Sequence, residues 1–287
     1  MINPYIVSGP VTGEHFYGRQ ALITEITSAR QRAIFIVGMR QIGKTSLLRQ
    51  VETLVPALFL DVQFAAGQLA HLVRQLKRQL GRKGRDHPWL TTVPTVEGDD
   101  LFTMLESIND TAEAKGQTVW VLVDETEGLL SMAGLDPTLL HRLRGTLQNC
   151  PALRAVLVAG KTLSKTDTLR SEGMSPFFSG FDLRYLGYLT PSTSEALIRQ
   201  RQSETPIEVD DELVAELVDH TGGHPLLLQL LCYQLFDGGR PRPFQNSDVD
   251  AVLTRVRHMG IFDADFDYLS DACCGPCQKW ARPSATI

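Results

Sequence analysis

An α/β fold with a central parallel sheet, followed by a small all-helical unit, is the architecture this sequence predicts, and three observations predict it. Short apolar runs, too brief for helices, recur between residues 33 and 189 and alternate with stretches of helical periodicity. The first run leads into Gly38-Met39-Arg40-Gln41-Ile42-Gly43-Lys44-Thr45, a full GxxxxGK[ST] string between a strand and a helix. From Thr190 onward no strand-like run appears and helical stretches follow one another.

Bulk properties agree. At about 150 residues per domain, 287 residues make roughly two domains. The chain is 43% hydrophobic and 21% charged, enough apolar material for a large core, which excludes a disordered or disulfide-stapled chain. No apolar run is long enough to span a membrane, and the start, Met1-Ile2-Asn3-Pro4-Tyr5, lacks the basic-then-apolar pattern of a signal peptide. The net charge of −5 argues against a generally basic nucleic-acid coat. Five cysteines, an odd number, without a secretion signal imply reduced thiols and a cytoplasmic protein.

In chain order, a Pro/Gly-rich lead-in of about fifteen residues precedes a helix after Gly18, marked by Leu22, Ile23 and Ile26. Ala33–Val37 is a buried strand. A helix runs from Lys44 to Leu54, where Pro56 stops it. Ala57–Val62 is the second strand; helices at 67–80 and 99–115 flank a loop holding Trp89; Thr118–Val123 is the third strand. Pro137 opens a helix to Asn149, Leu153–Val158 is the fourth strand, and Phe181–Leu189 alternates weakly as a fifth. The order is β-α-β-α-α-β-α-β-α-β, with helices then expected at 192–203, 210–220, 224–236 and 247–258. The division is an α/β domain at 1–190, a helical lid at 191–240 and a partial C-terminal helical segment at 241–287.

The GxxxxGK[ST] string defines a P-loop nucleoside triphosphatase site for ATP or ADP with Mg²⁺. Glycines let backbone N–H groups curl around phosphates, and the helix amino terminus adds its positive dipole end. Gly38, Met39, Arg40, Gln41, Ile42, Gly43, Lys44, Thr45 and Ser46 form the candidate nucleotide-binding set, with Lys44 on the β- and γ-phosphates and Thr45 on the metal. Val119-Trp120-Val121-Leu122-Val123 delivers Asp124 and Glu125 at a strand's carboxyl end, where ligands of open parallel sheets bind. Asp124 is the candidate metal ligand and Glu125 the base that polarises water. The fourth strand leads into Lys161-Thr162, and Lys161 is a candidate γ-phosphate sensor with a catalytic role.

Phe16-Tyr17-Gly18-Arg19, GMRQIGKTSLL, VLVDE and Thr221-Gly222-Gly223-His224-Pro225 together resemble the STAND-class ATPases, more narrowly the prokaryotic and archaeal ATPase group neighbouring the AAA+ origin-recognition proteins. The likeness covers about residues 4–240. It implies an AAA+-like sheet, Tyr17, Gly18 and Arg19 bordering the base, and Pro225 touching it from the lid. It also implies a signalling switch with ATP-dependent self-association and a protein effector or sensor. That family often ends the fourth strand with arginine, where this chain has Lys161, which keeps the charge without the bidentate fork. The family continues into a winged-helix domain, of which residues 241–287 resemble the start.

Other features rank lower. Cys274-Gly275-Pro276-Cys277 has redox spacing without the strand-then-helix context. Arg74, Lys77, Arg78, Arg82, Lys83 and Arg85 form a cationic run better explained as a solvated helix face than as a nucleic-acid contact, since no aromatics interleave. Arg142, Arg144 and Arg170 are candidate arginine fingers. Glycines between His220 and His224 spoil a helical metal pair. Two rivals stand beside the switch: a ring-forming remodelling or DNA-loading ATPase, and a module that binds nucleotide without hydrolysing it.

Overall fold

The computed structural model describes residues 3–254, apart from residues 29, 66, 95–97, 99, 137, 161–179, 205, 238–239, 243–247, 249–250 and 253. The described residues fall into two compact units. One, the sheet unit, comprises Arg19–Gly38 and Leu47–Leu186; the other, the helical unit, comprises the residues up to Gly18, Met39–Ser46 and those from Gly187 onward.

In the sheet unit, α1 (Gln20–Thr27) precedes β1 (Ala33–Gly38), and α2 (Lys44–Glu52), which enters this unit at Leu47, ends before β2 (Ala57–Asp61). Then follow α3 (Leu69–Lys83), α4 (Leu101–Ala114), β3 (Val119–Asp124), α5 (Glu127–Leu135), α6 (Leu139–Asn149), β4 (Leu153–Gly160) and β5 (Asp182–Leu186). The five strands are parallel in the order β2-β3-β4-β1-β5. Every residue of β1 and β3 is buried, which is why their sequences are continuous apolar runs rather than alternations. Ala33, Phe35 and Val37 share one core with Leu58, Val121 and Leu157 and with Leu76, Leu105 and Leu143 from the helices. Ile34, Ile36, Leu122 and Val156 are buried too, and the buried Trp120 indole N–H donates to the Ile26 carbonyl at 3.2 Å.

The register sets the functional edge. Gly38 lies opposite Gly160, Val123 opposite Leu157 and Asp61 opposite Asp124, so β1, β3 and β4 all release the chain at one edge of the sheet. The fourth strand sits between the strand of the P-loop and the strand of the carboxylates. At the sheet's side, β2 is an edge strand whose backbone would otherwise be unsatisfied. Gln79 of α3 accepts from Phe59 N at 2.8 Å, and Gln75 both accepts from Asp61 N and donates to Asp61 O at 2.9 Å.

In the helical unit, α7 (Pro191–Ile198), α8 (Asp211–Thr221) and α9 (Pro225–Leu235) enclose Leu197, Ile198, Leu217, Leu228 and Leu231. Thr190 caps α7 by accepting from Thr193 N at 3.3 Å. The lead-in is anchored here: Tyr5 is buried with its hydroxyl donating to Ile198 O, and Ile6 N donates to Gln229 Oε1 at 3.1 Å. Between α8 and α9, Gly222 and Gly223 have φ of 58° and 79°. A Cβ on Gly223 would stand 2.4 Å from Leu189 O, and the Leu189 N–H donates to Gly223 O at 2.9 Å. Gly223→Ala should therefore cost about 1–3 kcal/mol, combining a left-handed residue with a backbone clash. Urea unfolding checks this, a midpoint equal to wild type being the contrary result.

Several elements differ from the sequence expectation. Glu127–Leu135 is a helix where none was expected, and the Trp89 loop contains a 3₁₀ turn at Pro88–Thr92 that buries Leu90. Among the described residues beyond Thr190 there is one small strand pairing, β6 (Phe236–Asp237) with β7 (Arg240–Pro241), held antiparallel. The helix expected between the fourth and fifth strands, and most of the one at 247–258, lie outside the described residues.

Candidate nucleotide-phosphate site

The chain leaves the sheet at Gly38, turns through Met39–Gly43 and enters α2 at Lys44. Met39 and Ile42 are buried, and they pin the loop while Arg40 and Gln41 stay exposed. Gln41 and Gly43 have φ of 60° and 97°, left-handed values that turn successive N–H groups toward one concavity. A Cβ on Gly43 would meet nothing beyond its chain neighbours within 4 Å, so its φ of 97°, rather than crowding, is what calls for glycine there. Lys44 Nζ donates to Met39 O at 2.9 Å, which folds the ammonium back over the loop. Ser46 is buried, its hydroxyl accepting from Val11 N at 3.1 Å, a tie from the lead-in that the sequence did not disclose.

At the end of β3, Asp124 is 3% exposed and accepts from Glu125 N at 3.0 Å, while Glu125 is exposed. Glu125 has φ of 52°, an uncommon conformation for a residue with a side chain. Directly after it, Thr126 N donates to Val158 O at 3.1 Å, and Glu127 accepts from Gly160 N. The sequence reading had overlooked Glu127. It ties the turn after β3 to the end of β4, and a Cβ on Gly160 would lie 2.8 Å from its Oε1.

The remaining candidates divide between the units. Tyr17, Gly18 and Pro225 lie in the helical unit together with Met39–Ser46; Arg19, Gly38, Asp124 and Glu125 lie in the sheet unit. Tyr17 is buried in the helical core, its hydroxyl accepting from Gln202 N at 3.4 Å, and burial pushes its phenol up. Gly18 has φ of 75°, and a Cβ there would stand 2.7 Å from Thr193 Cγ2. Arg19 opens α1 in a left-handed conformation, and burial pulls its guanidinium down. Pro225 occupies the first turn of α9, where its fixed φ suits a helix start.

Lys161, Thr162, Arg170 and the Cys274–Cys277 string lie outside the described residues. Arg142 is paired with Asp100 at 3.2 Å and stacked 3.9 Å over the Phe102 ring. On α3, Lys83 pairs with Glu52 at 2.9 Å and Lys77 donates to Gly98 O. Among the described residues, no helix is long and apolar enough to cross a membrane.

The donor types of each unit, taken by itself, fit the chemistry of a nucleoside triphosphate with a metal ion. The loop offers main-chain N–H donors, a lysine and a helix amino terminus, which suit phosphate oxygens. The Thr45 hydroxyl and the Asp124 carboxylate are hard oxygen donors of the kind Mg²⁺ takes.

Comparison with known proteins agrees on the fold. The chain is similar to the Walker-type ATPase paby2304 of Pyrococcus abyssi, with a TM-score of 0.72 and 15% identity over 93% of this chain and 80% of that one. It is similar to the ORC2 protein of Aeropyrum pernix, with a TM-score of 0.53 and 16% identity over 84% of this chain and 63% of that one. Over 118 residues it is 31% identical to the protein-export protein SecB of Xanthomonas euvesicatoria pv. vesicatoria, 40% of this chain. The chain thus spans 61% of the length of that curated relative. With its P-loop string after β1, its paired carboxylates after β3 and β4 between those two strands, the sheet unit has the strand layout of the solved ATPases it is similar to, and residues 27–166 match the family described as AAA domain.

Proposed function

We propose that this chain binds ATP with Mg²⁺ and hydrolyses it slowly, as a nucleotide-controlled signalling switch of the STAND kind. The observation that carries this reading is the grouping of Met39–Ser46 with the lead-in and with α7–α9 in one compact unit. A phosphate loop packed with the helices of a lid transmits the state of its ligand to them directly. Lys44 would hold the β- and γ-phosphates, Thr45 and Asp124 the metal, and Glu125 would polarise water, with Lys161 as γ-phosphate sensor. Tyr17, Gly18, Arg19 and Pro225 would border the base. The α/β domain (1–190) then supplies the chemistry, the lid (191–240) the report, and residues 241–287 the beginning of a further domain. An effector or sensor protein, self-association in the ATP state and a cytoplasmic setting belong to the same reading.

A switch needs two states close in energy, separated by a ligand that prefers one; a difference of ~1–3 kcal/mol in γ-phosphate contact shifts populations about 5- to 150-fold. Glu125→Gln should therefore accumulate the ATP state. Its mass and compactness, followed by light scattering and small-angle scattering, should change on exchanging ADP for ATP. Identical mass and compactness in both nucleotides, with rapid wild-type turnover, would favour a motor and end this proposal.

A further inference from the structure

The turn that presents Glu125 interrupts the sheet, and Glu127 repairs the interruption. β3 and β4 run in register as far as Val123 opposite Leu157. Carried on, a parallel ladder would have Glu125 N donate to Val158 O and Gly160 N donate to Glu125 O. The chain departs from that pattern. Glu125 N donates to the Asp124 carboxylate at 3.0 Å, and Thr126 N takes Val158 O at 3.1 Å, so Glu125 is bulged out of the ladder at its φ of 52°. The two carbonyls that could receive the Gly160 N–H are turned along the first turn of α5 instead. Glu125 O accepts from Gly128 N at 3.0 Å, and Thr126 O accepts from Leu129 N at 2.9 Å. A sheet N–H left without an acceptor is costly. The Glu127 carboxylate supplies one: its Oε1 accepts from Gly160 N.

That substitute rung joins two functional strand ends. On its other side Gly160 stands opposite Gly38 of β1, the first residue of the phosphate loop. Through Glu127, the turn bearing Asp124 and Glu125 is thereby held in register with Gly38. The second carboxylate oxygen, Oε2, is buried without a hydrogen-bond partner, so a single accepted bond is what this side chain contributes.

We propose that Glu127 is a positioning residue for hydrolysis: its carboxylate stands in for the main-chain acceptor that the bulge at Glu125 removes, and so holds Glu125 in register with the start of the phosphate loop. This rests on the reading of Glu125 as the group that activates water. Glu127 acts through the backbone and needs no contact with nucleotide.

The test compares Glu127→Ala, which removes the acceptor, with Glu127→Gln, whose amide oxygen can accept from Gly160 N, in the full chain. Because Oε2 has no partner, an amide nitrogen in its place breaks no hydrogen bond. Single-turnover hydrolysis of ATP and calorimetric ATP affinity are the readouts. Glu127→Ala should hydrolyse ~10- to 100-fold more slowly, as a misplacement of about 1 Å can cause, with affinity kept within about twofold. Glu127→Gln should recover most of that rate. Amide exchange without nucleotide should be faster at Gly160 in Glu127→Ala and unchanged in β2. If Glu127→Ala does not fold, Gly160→Ala takes its place, since a Cβ 2.8 Å from Oε1 displaces the carboxylate; it should give the same slow hydrolysis with affinity retained. A wild-type rate in these alanine variants, an equal loss of rate and affinity, or a Glu127→Gln as slow as Glu127→Ala overturns this role alone. A wild-type chain that binds no ATP, or a Glu125→Gln that hydrolyses at the wild-type rate, overturns the underlying reading together with it.

Discussion

Lys44→Ala should lose ATP and ADP affinity by ~10²–10³-fold, since charge-assisted hydrogen bonds are each worth ~1.5–3 kcal/mol and this ammonium is proposed to serve two phosphates. The side chain is already folded over the loop by its bond to Met39 O, so little ordering remains for binding to supply. It is only half-buried and lies outside both hydrophobic clusters, so the fold should survive its removal. Two measurements separate binding from folding. Melting without nucleotide should match wild type, and the rise in stability that nucleotide confers, about 2.7 kcal/mol at a hundredfold excess over Kd, should vanish. Full nucleotide stabilisation in Lys44→Ala would sink the phosphate-site assignment. Lys44→Arg should not rescue, because a planar fork does not replace a compact point charge.

Glu125→Gln should slow turnover by ~10²–10⁴-fold with nucleotide affinity retained. The substitution keeps the shape and hydrogen-bonding capacity of the side chain and removes only its ability to take a proton. Glu125 is exposed, so the neutral amide meets solvent rather than an apolar interior. Asp124 is 3% exposed and supports the turn through Glu125 N, so Asp124→Asn disturbs metal affinity and local structure together and is the less clean variant. Single-turnover hydrolysis of ATP by Glu125→Gln at the wild-type rate would show that another group activates water.

The sheet was legible because its strands are buried on both faces. Ala33–Gly38 and Val119–Asp124 need no alternation to be recognised, and the P-loop is a chain-local pattern that needs no partner. The helix at Glu127–Leu135 escaped notice because only two residues separate it from a strand end, it contains two glycines and it shows no clear apolar stripe. The β6–β7 pairing is two residues long and includes a proline, which sequence reading demotes from a strand. The ties that brace the loop were invisible for a different reason. Ser46 with Val11 and Met39 with Tyr188 are contacts between residues 35 and 149 positions apart, and no local pattern reports them. Glu127 was obscured by Asp124 and Glu125 just before it, whose strand-end position supplied a sufficient chemical role.

The backbone at Glu125 also shapes how the chain can evolve. A left-handed residue with a Cβ costs roughly 1–2 kcal/mol, and glycine escapes that cost, as asparagine does in part. If Glu125 is the base proposed above, heat tolerance and turnover pull this position in opposite directions. Lineages selected for thermal endurance alone would drift toward glycine there, becoming sturdier as they lose the carboxylate. Where nucleotide is needed only as a ligand, that drift would go unopposed.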